Sequence, residues 1–252
     1  MGQNVKVSPR QVDPELRSQL IDAAALLLAE EGPKAISTRR VAAAVGTSTM
    51  AVYTHFGGME DLVRAMVLEG FRLLNARMEA VDESDDPAAD VAVLGAAYRA
   101  NAQEHRYLYS VMFGGSSLGG FALTDDDRQH GRYTLETLVR AVRRCIEAER
   151  FRPFDPELLA NQMWIALHGL VTLELGGYLI EPYTADVCFE AQVFGLLLAA
   201  GDDPERAGPS MEAARQRIAV FRSEAGPAAE PGDPGADGAG LNGSARSMGQ
   251  VG

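Results

Sequence analysis

Cysteine is scarce in this chain, with two in 252 residues. Cys145 and Cys188 provide neither a disulfide framework nor a metal-ligand spacing. They read as half-buried thiols in a reducing compartment, with a redox switch as the alternative. No apolar run approaches the roughly 18 residues of a membrane span. No charged segment leading into an apolar one opens the chain, which argues against a secretory leader. Gly2 does not begin a myristoylation motif, because Lys6 stands where Ser or Thr is required. The expectation is a cytoplasmic protein without a membrane partner. No internal repeat and no strand pattern is present. The glycine-rich stretch Gly114–Gly120 lacks the Gly-Lys-Ser/Thr ending of a phosphate loop and reads as a lid or link. There is no nucleophile–base pair, metal cluster or cofactor loop, so an enzyme is disfavoured and no cofactor is expected.

Positive charge is also in short supply. Lys and Arg number 23 against 35 Asp and Glu, a net charge of −12. This total at first speaks against a nucleic-acid partner. It is unevenly spread, however. Residues 1–60 hold six of each sign and are neutral, which leaves 17 basic and 29 acidic residues for the remainder. The acid is concentrated in the later part, where it can orient a neutral head toward DNA only within about a Debye length of 8 Å.

What is present is a pair of short helices joined by a tight turn, from Ser37 to Phe56. Ser37 is an N-cap, and Val41 and Val45 share one face at i, i+4. Gly46 sits where a left-handed residue ends a helix. Ser48 caps the next helix, in which Val52 and Phe56 face inward. Thr49, Met50, Tyr53 and Thr54 then point outward together, with hydroxyls for phosphates and apolar groups for thymine methyls. Arg39 and Arg40 open the preceding helix, which in a helix-turn-helix crosses the DNA backbone, and His55 offers a ring N–H at the far end. Two helices around a glycine turn also occur in proteins that never meet DNA. On spacing alone, a solvated helix end or packing corner stays open beside the DNA reading.

The run Thr38-Arg-Arg-Val-Ala to Tyr53-Thr-His-Phe56, followed by Gly-Gly-Met-Glu-Asp-Leu62, resembles the DNA-binding domain of the TetR family of bacterial repressors. The similarity covers about residues 14–80. It implies an all-α homodimer whose heads bind a palindromic operator in double-stranded DNA and whose body binds a small effector. The expected DNA contacts are Thr38, Arg39, Arg40, Thr47, Ser48, Thr49, Met50, Tyr53, Thr54 and His55. Many members carry a phosphate-contacting lysine where this chain has Met59, and Met59 cannot make that contact. Trp164, His168 and Gly169 form a Trp-x-x-x-His-Gly pattern similar to a recurring C-terminal effector domain within the family.

The fold class expected is all-α, with an N-terminal three-helix helix-turn-helix head and a larger C-terminal helical bundle. Residues 1–12 read as a mobile arm, 13–60 as the DNA-binding domain and 61–200 as the effector-binding and dimerisation domain. Residues 201–252 read as a mostly disordered tail with a short helix at 211–224. In the body, the segment 162–175 is apolar nearly all round and needs burial on most sides. Its Leu170 and Leu173, with Phe189, Val193, Leu196 and Leu197 of the final helix, are expected to form a four-helix dimer core. Tyr98, Asn101, His105, Tyr109, Met112, Phe113, Tyr133, Thr137, Trp164 and His168 are the candidate ligand-binding residues, an apolar set with polar anchors. Ordinary core packing is the competing reading for many of them, and Glu174 is read either as an Arg partner or as the recogniser of a cationic effector. The function expected is a ligand-responsive transcriptional repressor released from DNA by its effector. An activator of the same fold, a helical enzyme and a protein-interaction adaptor are the alternatives.

Overall fold

The computed structural model describes residues 13–113 and 124–224, apart from the side chains of residues 125, 126, 128, 130 and 221–224. The expected arm at 1–12, the glycine-rich stretch and the tail beyond 224 lie outside the described residues. Every regular element described is helical, so the chain is all-α, with a small head and a larger bundle.

Local chemistry sets the limits of the head helices. Helix α1 (Pro14–Glu31) starts with Pro at a first-turn position, and the Asp13 carboxylate accepts from the Glu15 N–H at 3.0 Å. Helices α2 (Thr38–Val45) and α3 (Thr49–Phe56) are capped by the hydroxyls of Ser37 and Ser48, each accepting a backbone N–H at 3.3 Å. Gly46 ends α2 at φ 72°, a left-handed conformation that costs glycine nothing. The buried faces of α1, α2 and α3 contribute Leu20, Ile21, Ala24, Val41, Val52 and Phe56 to one core.

Helix α4 (Met59–Glu79) joins head to body, packing against α1 and α3 on one side and against later helices on the other. The body contains α5 (Pro87–Glu104), α6 (Arg106–Phe113), α7 (Asp125–Glu147), α8 (Pro156–Leu175), α9 (Ala185–Ala200) and α10 (Pro204–Glu224). Helix α5 is its central strut and touches α4 and all five of the others. Position α5 therefore buries charged residues too, and Asp90 and Arg99 are both enclosed and ion-paired.

Helix α10 corrects the expected short helix at 211–224 in a loose tail. It begins seven residues earlier, at Pro204, and its Ala207, Met211 and Ala214 are core residues. Gly201, Gly208 and Pro209 break the apolar pattern in the sequence. What holds the helix is a set of long-range polar contacts that no local pattern shows. Arg150 pairs with Asp202 at 2.7 Å, Ser210 donates to Asp86 at 2.7 Å, and Arg217 pairs with Asp90 at 2.5 Å. Cys145 is fully buried in this region, and burial pushes its thiol up to about 12, the mark of a structural thiol.

Candidate functional site

The head presents one helix face to solvent. In α3, Met50 is 63% and Tyr53 50% exposed, while Val52 beneath them is completely buried. Thr49 and Thr54 flank them, also exposed, and the Thr54 hydroxyl donates back to the Met50 carbonyl at 2.8 Å. Thr38 and Thr47 are half-buried, and the Ser48 hydroxyl is engaged in capping. The two arginines of α2 differ. Arg39 is exposed, with no ion-pair partner among the described residues. Arg40 is held by Glu31 of α1 through hydrogen bonds of 2.7 and 2.9 Å, and also donates to the Ala35 carbonyl. That contact lowers the Glu31 carboxyl below its ordinary value, so Arg40 clamps α2 to α1. His55, expected to offer a ring N–H at the end of α3, is half-buried with its Nδ1 inside. That atom is enclosed and unpartnered, and the ring leans on Phe56. Met59 packs partly buried against the core.

The body encloses a cavity of about 340 Å³ between α4, α5, α6, α7, α8 and α9. Of the residues expected around a ligand, Tyr98, Met112, Phe113 and Trp164 line it. Tyr109 and His168 stand one layer out and hold the wall. Trp164 Nε1 donates to the Tyr98 hydroxyl at 3.3 Å, which lies 2.9 Å from that of Tyr109, which lies 2.7 Å from His168 Nδ1. Burial depresses the His168 imidazole, pushes Tyr98 up to about 12 and raises Tyr109. A neutral His168 accepting the Tyr109 proton at Nδ1 satisfies the whole chain.

The other expected ligand residues stand elsewhere. Asn101 and Thr137 are buried away from the cavity, and Tyr133 is exposed. His105 sits at the boundary of head and body, facing the charges of Asp22 and Glu69. Tyr133 and Thr137 were chosen for their chemistry, but the inner face of α7 is Gly131, Thr134, Leu135 and Leu138, at i, i+3, i+4, i+7. That spacing is legible in the sequence. Arg132, Thr134 and Asn161 are polar lining residues that the sequence reading missed. Glu174 resolves as an arginine partner: Arg99 binds it at 2.6 and 2.7 Å and Asp186 at 2.5 Å.

The outward surface of α8 and α9 also departs from expectation. Leu170, Phe189, Val193 and Leu197 are buried within the chain, and Leu196 lines the cavity with Val193. Of the six expected interface residues, Leu173 alone is exposed, at 47%. The exposed stripe is rotated from the expected one. It carries Leu158, Ile165, Gly169 and Leu173 on α8 and Val187, Ala191 and Gly195 on α9. A helix buried on one side and apolar all round offers its other face by the same 3.6 period, and the 189–193–197 row is the inward one.

Two sequence families match this architecture in order. Bacterial regulatory proteins of the tetR family match residues 20–66, and a tetracyclin repressor-like C-terminal domain matches residues 91–196. An HTH-type transcriptional regulator of Mycobacterium tuberculosis is 30% identical over 190 residues, covering 73% of this chain and 80% of the relative. The chain belongs to the TetR family. Its members are DNA-binding transcriptional regulators with a ligand-binding C-terminal domain, not enzymes. Among solved structures, a Rhodococcus sp. RHA1 protein of unknown function shares 26% identity with a TM-score of 0.63, covering 74% of this chain and 96% of that one. A tetR-family regulatory protein of Rhodococcus RHA1 has the same fold, with 24% identity and a TM-score of 0.62 over 76% of this chain and 100% of that one. In this TetR-family chain, α10 lies beyond the span of the matched C-terminal domain.

Proposed function

We propose that the protein is a ligand-responsive repressor that binds a palindromic operator as a homodimer and leaves it when a small effector fills the body cavity. The observation that carries the reading is the exposed Met50–Tyr53–Thr54 face of α3 over the sealed Val52 and Phe56. A rigid short helix with polar and apolar tips suits a major groove, with Arg39 and the Thr38, Thr47, Ser48 and Thr49 hydroxyls near the backbone. The second copy docks on the stripe of α8 and α9. Gly169 and Gly195 support this, since a Cβ at either would meet open space and the partner's helices can approach closely. Two heads related by a dyad read half-sites about 10 bp, or a multiple, apart. The protein acts in the cytoplasm, where its operator is.

The effector signal has a short physical route. Met112 and Phe113 of α6 line the cavity, and α6 packs on α1, where the Tyr107 hydroxyl donates to Glu30 at 3.1 Å. A ligand bound better when α6 is displaced stabilises a different head spacing and lowers DNA affinity by that difference. Selection from a random pool of duplex DNA tests the proposal. An enriched inverted repeat is expected. No enrichment overturns DNA recognition, and a single half-site overturns the dimeric operator.

A further inference from the structure

Among the described residues, Arg132 is the one charged side chain in the cavity lining. It is exposed at the edge of the cavity, with no carboxylate in ion-pair contact among the described residues. The two buried arginines of the body are neutralised: Arg99 by Glu174 and Asp186, and Arg150 by Asp86 and Asp202. Among the described residues no Asp or Glu lines the cavity, so none of them offers a counter-charge to a cationic ligand.

The polar groups deeper in the cavity have part of their hydrogen-bonding capacity spent inside the protein. Thr134 donates to the Gly131 carbonyl at 2.7 Å and Asn161 to the Glu157 carbonyl at 2.9 Å. Tyr98 is tied into the Trp164–Tyr109 chain. Phe71, Leu74, Leu94, Leu135 and Leu167 complete an apolar wall. The lining therefore favours a ligand with a mostly apolar body and an end that answers a guanidinium.

We propose that the effector cavity takes an amphipathic carboxylate, its alkyl body enclosed by the apolar wall and its carboxylate on Arg132. The inference rests on the effector reading above. The planar fork of Arg binds a carboxylate by two parallel hydrogen bonds, which fixes the ligand's orientation as well as its charge. The cavity volume of about 340 Å³ falls at the lower end of small-molecule sites, of a size for a medium-length chain.

Trp164 is the only tryptophan in the chain and lines the cavity, so its fluorescence reports occupancy directly. Linear carboxylates from hexanoate to palmitate are titrated into the full-length protein, with 1-decanol and decylamine as probes of the same body and different ends. Decanoate is expected to bind about tenfold more tightly than either, the scale of one charge-assisted contact. Arg132→Gln should remove that advantage and leave 1-decanol binding unchanged, which also certifies that the variant is folded. Arg132→Lys should restore part of it. Equal or tighter binding of the alcohol or amine, no binding of any acid, or an Arg132→Gln variant with undiminished decanoate affinity overturns the proposal. DNA binding of the unliganded protein is measured alongside. If DNA is bound and no acid is, only the ligand class falls; if acid binds and DNA does not, the regulator reading falls.

Discussion

Gly70 of α4 lies directly beneath Met112 of α6, so close that a Cβ at position 70 would overlap the Met112 thioether and Cγ. Met112 lines the cavity on its other side. The helix that enters the head and the helix that borders the ligand site thus meet without a gap at one glycine.

A methyl group at position 70 has room only if Met112 moves toward the cavity. Gly70→Ala gains up to about 1 kcal/mol of helix propensity but incurs an overpacking cost of about 1–3 kcal/mol. A net loss of about 1 kcal/mol in denaturant unfolding is expected, with weaker occupancy of a smaller cavity by Trp164 fluorescence. Stability equal to the parent protein would show that Met112 repacks freely.

The dimer face gives a prediction that separates it from the buried row beside it. Ile165 is 61% exposed on α8, so Ile165→Glu should leave the monomer fold intact by circular dichroism. The same change buries a charge in the proposed interface, and sedimentation should show a monomer. A dimer that survives it excludes this stripe as the interface.

Arg39 and Arg40 should behave differently on DNA although they are neighbours. Arg39→Ala is expected to weaken binding to all sequences and to reduce the slope of log K against log salt by about one unit, as for a lost phosphate contact. Arg40 is already engaged by Glu31, so Arg40→Ala should alter the slope less. Identical slopes for the two variants would contradict the assignment.

The aromatic chain behind the cavity should make stability depend on pH through His168. Burial lowers its folded-state value below the ordinary 6.5, so the unfolded chain takes up a proton first as pH falls. The stabilising contribution is fully present above pH 6.5 and is lost as the pH drops through the folded value. His168→Gln removes that titration. Its melting temperature should therefore fall less than the parent's between about pH 8 and about pH 5. Parallel melting curves across this range would discount His168 as a contributor.

Asp202 has a fully enclosed carboxylate that binds Arg150 at 2.7 and 2.8 Å. Asp202→Ala strands a buried guanidinium, which typically costs 3–5 kcal/mol; about 3 kcal/mol is expected here, because Asp86 retains its contact with Arg150 at 2.9 Å. A shift in the denaturant midpoint worth less than about 1 kcal/mol would mean that the α10 anchor is dispensable.

The head was legible because its determinants are local. Ser37, Gly46 and Ser48 fix where two helices begin and end, and Val52 against Tyr53 decides which face of α3 is outside. A residue's own neighbours within four positions contain that information. Arg40 was the exception, since its Glu31 clamp depends on how α1 packs against α2.

The body was legible as helices but not as a site. The segment 162–175 was readable as a buried helix, yet a helix apolar on all sides has no single inward face that its sequence can declare. That is why Phe189, Val193 and Leu197 were expected at an interface and lie in the core. On α7 the inward spacing of Gly131, Thr134, Leu135 and Leu138 was readable, and Tyr133 lies off that face. Residue chemistry is blind to a rotation of 100° about a helix axis.

The sequence by itself determined an all-α chain with two short capped helices around a tight turn, because capping, turn and amphipathic signals act over a few residues; the resemblance to the TetR family added the DNA-reading role. Only the tertiary structure decided the cavity, the exposed α8–α9 stripe and the docking of α10. Each depends on side chains brought together from distant positions, as Arg217 is to Asp90 and His168 to Tyr109. Burial and charge pairing then select one packing of helices that their sequences leave free to rotate.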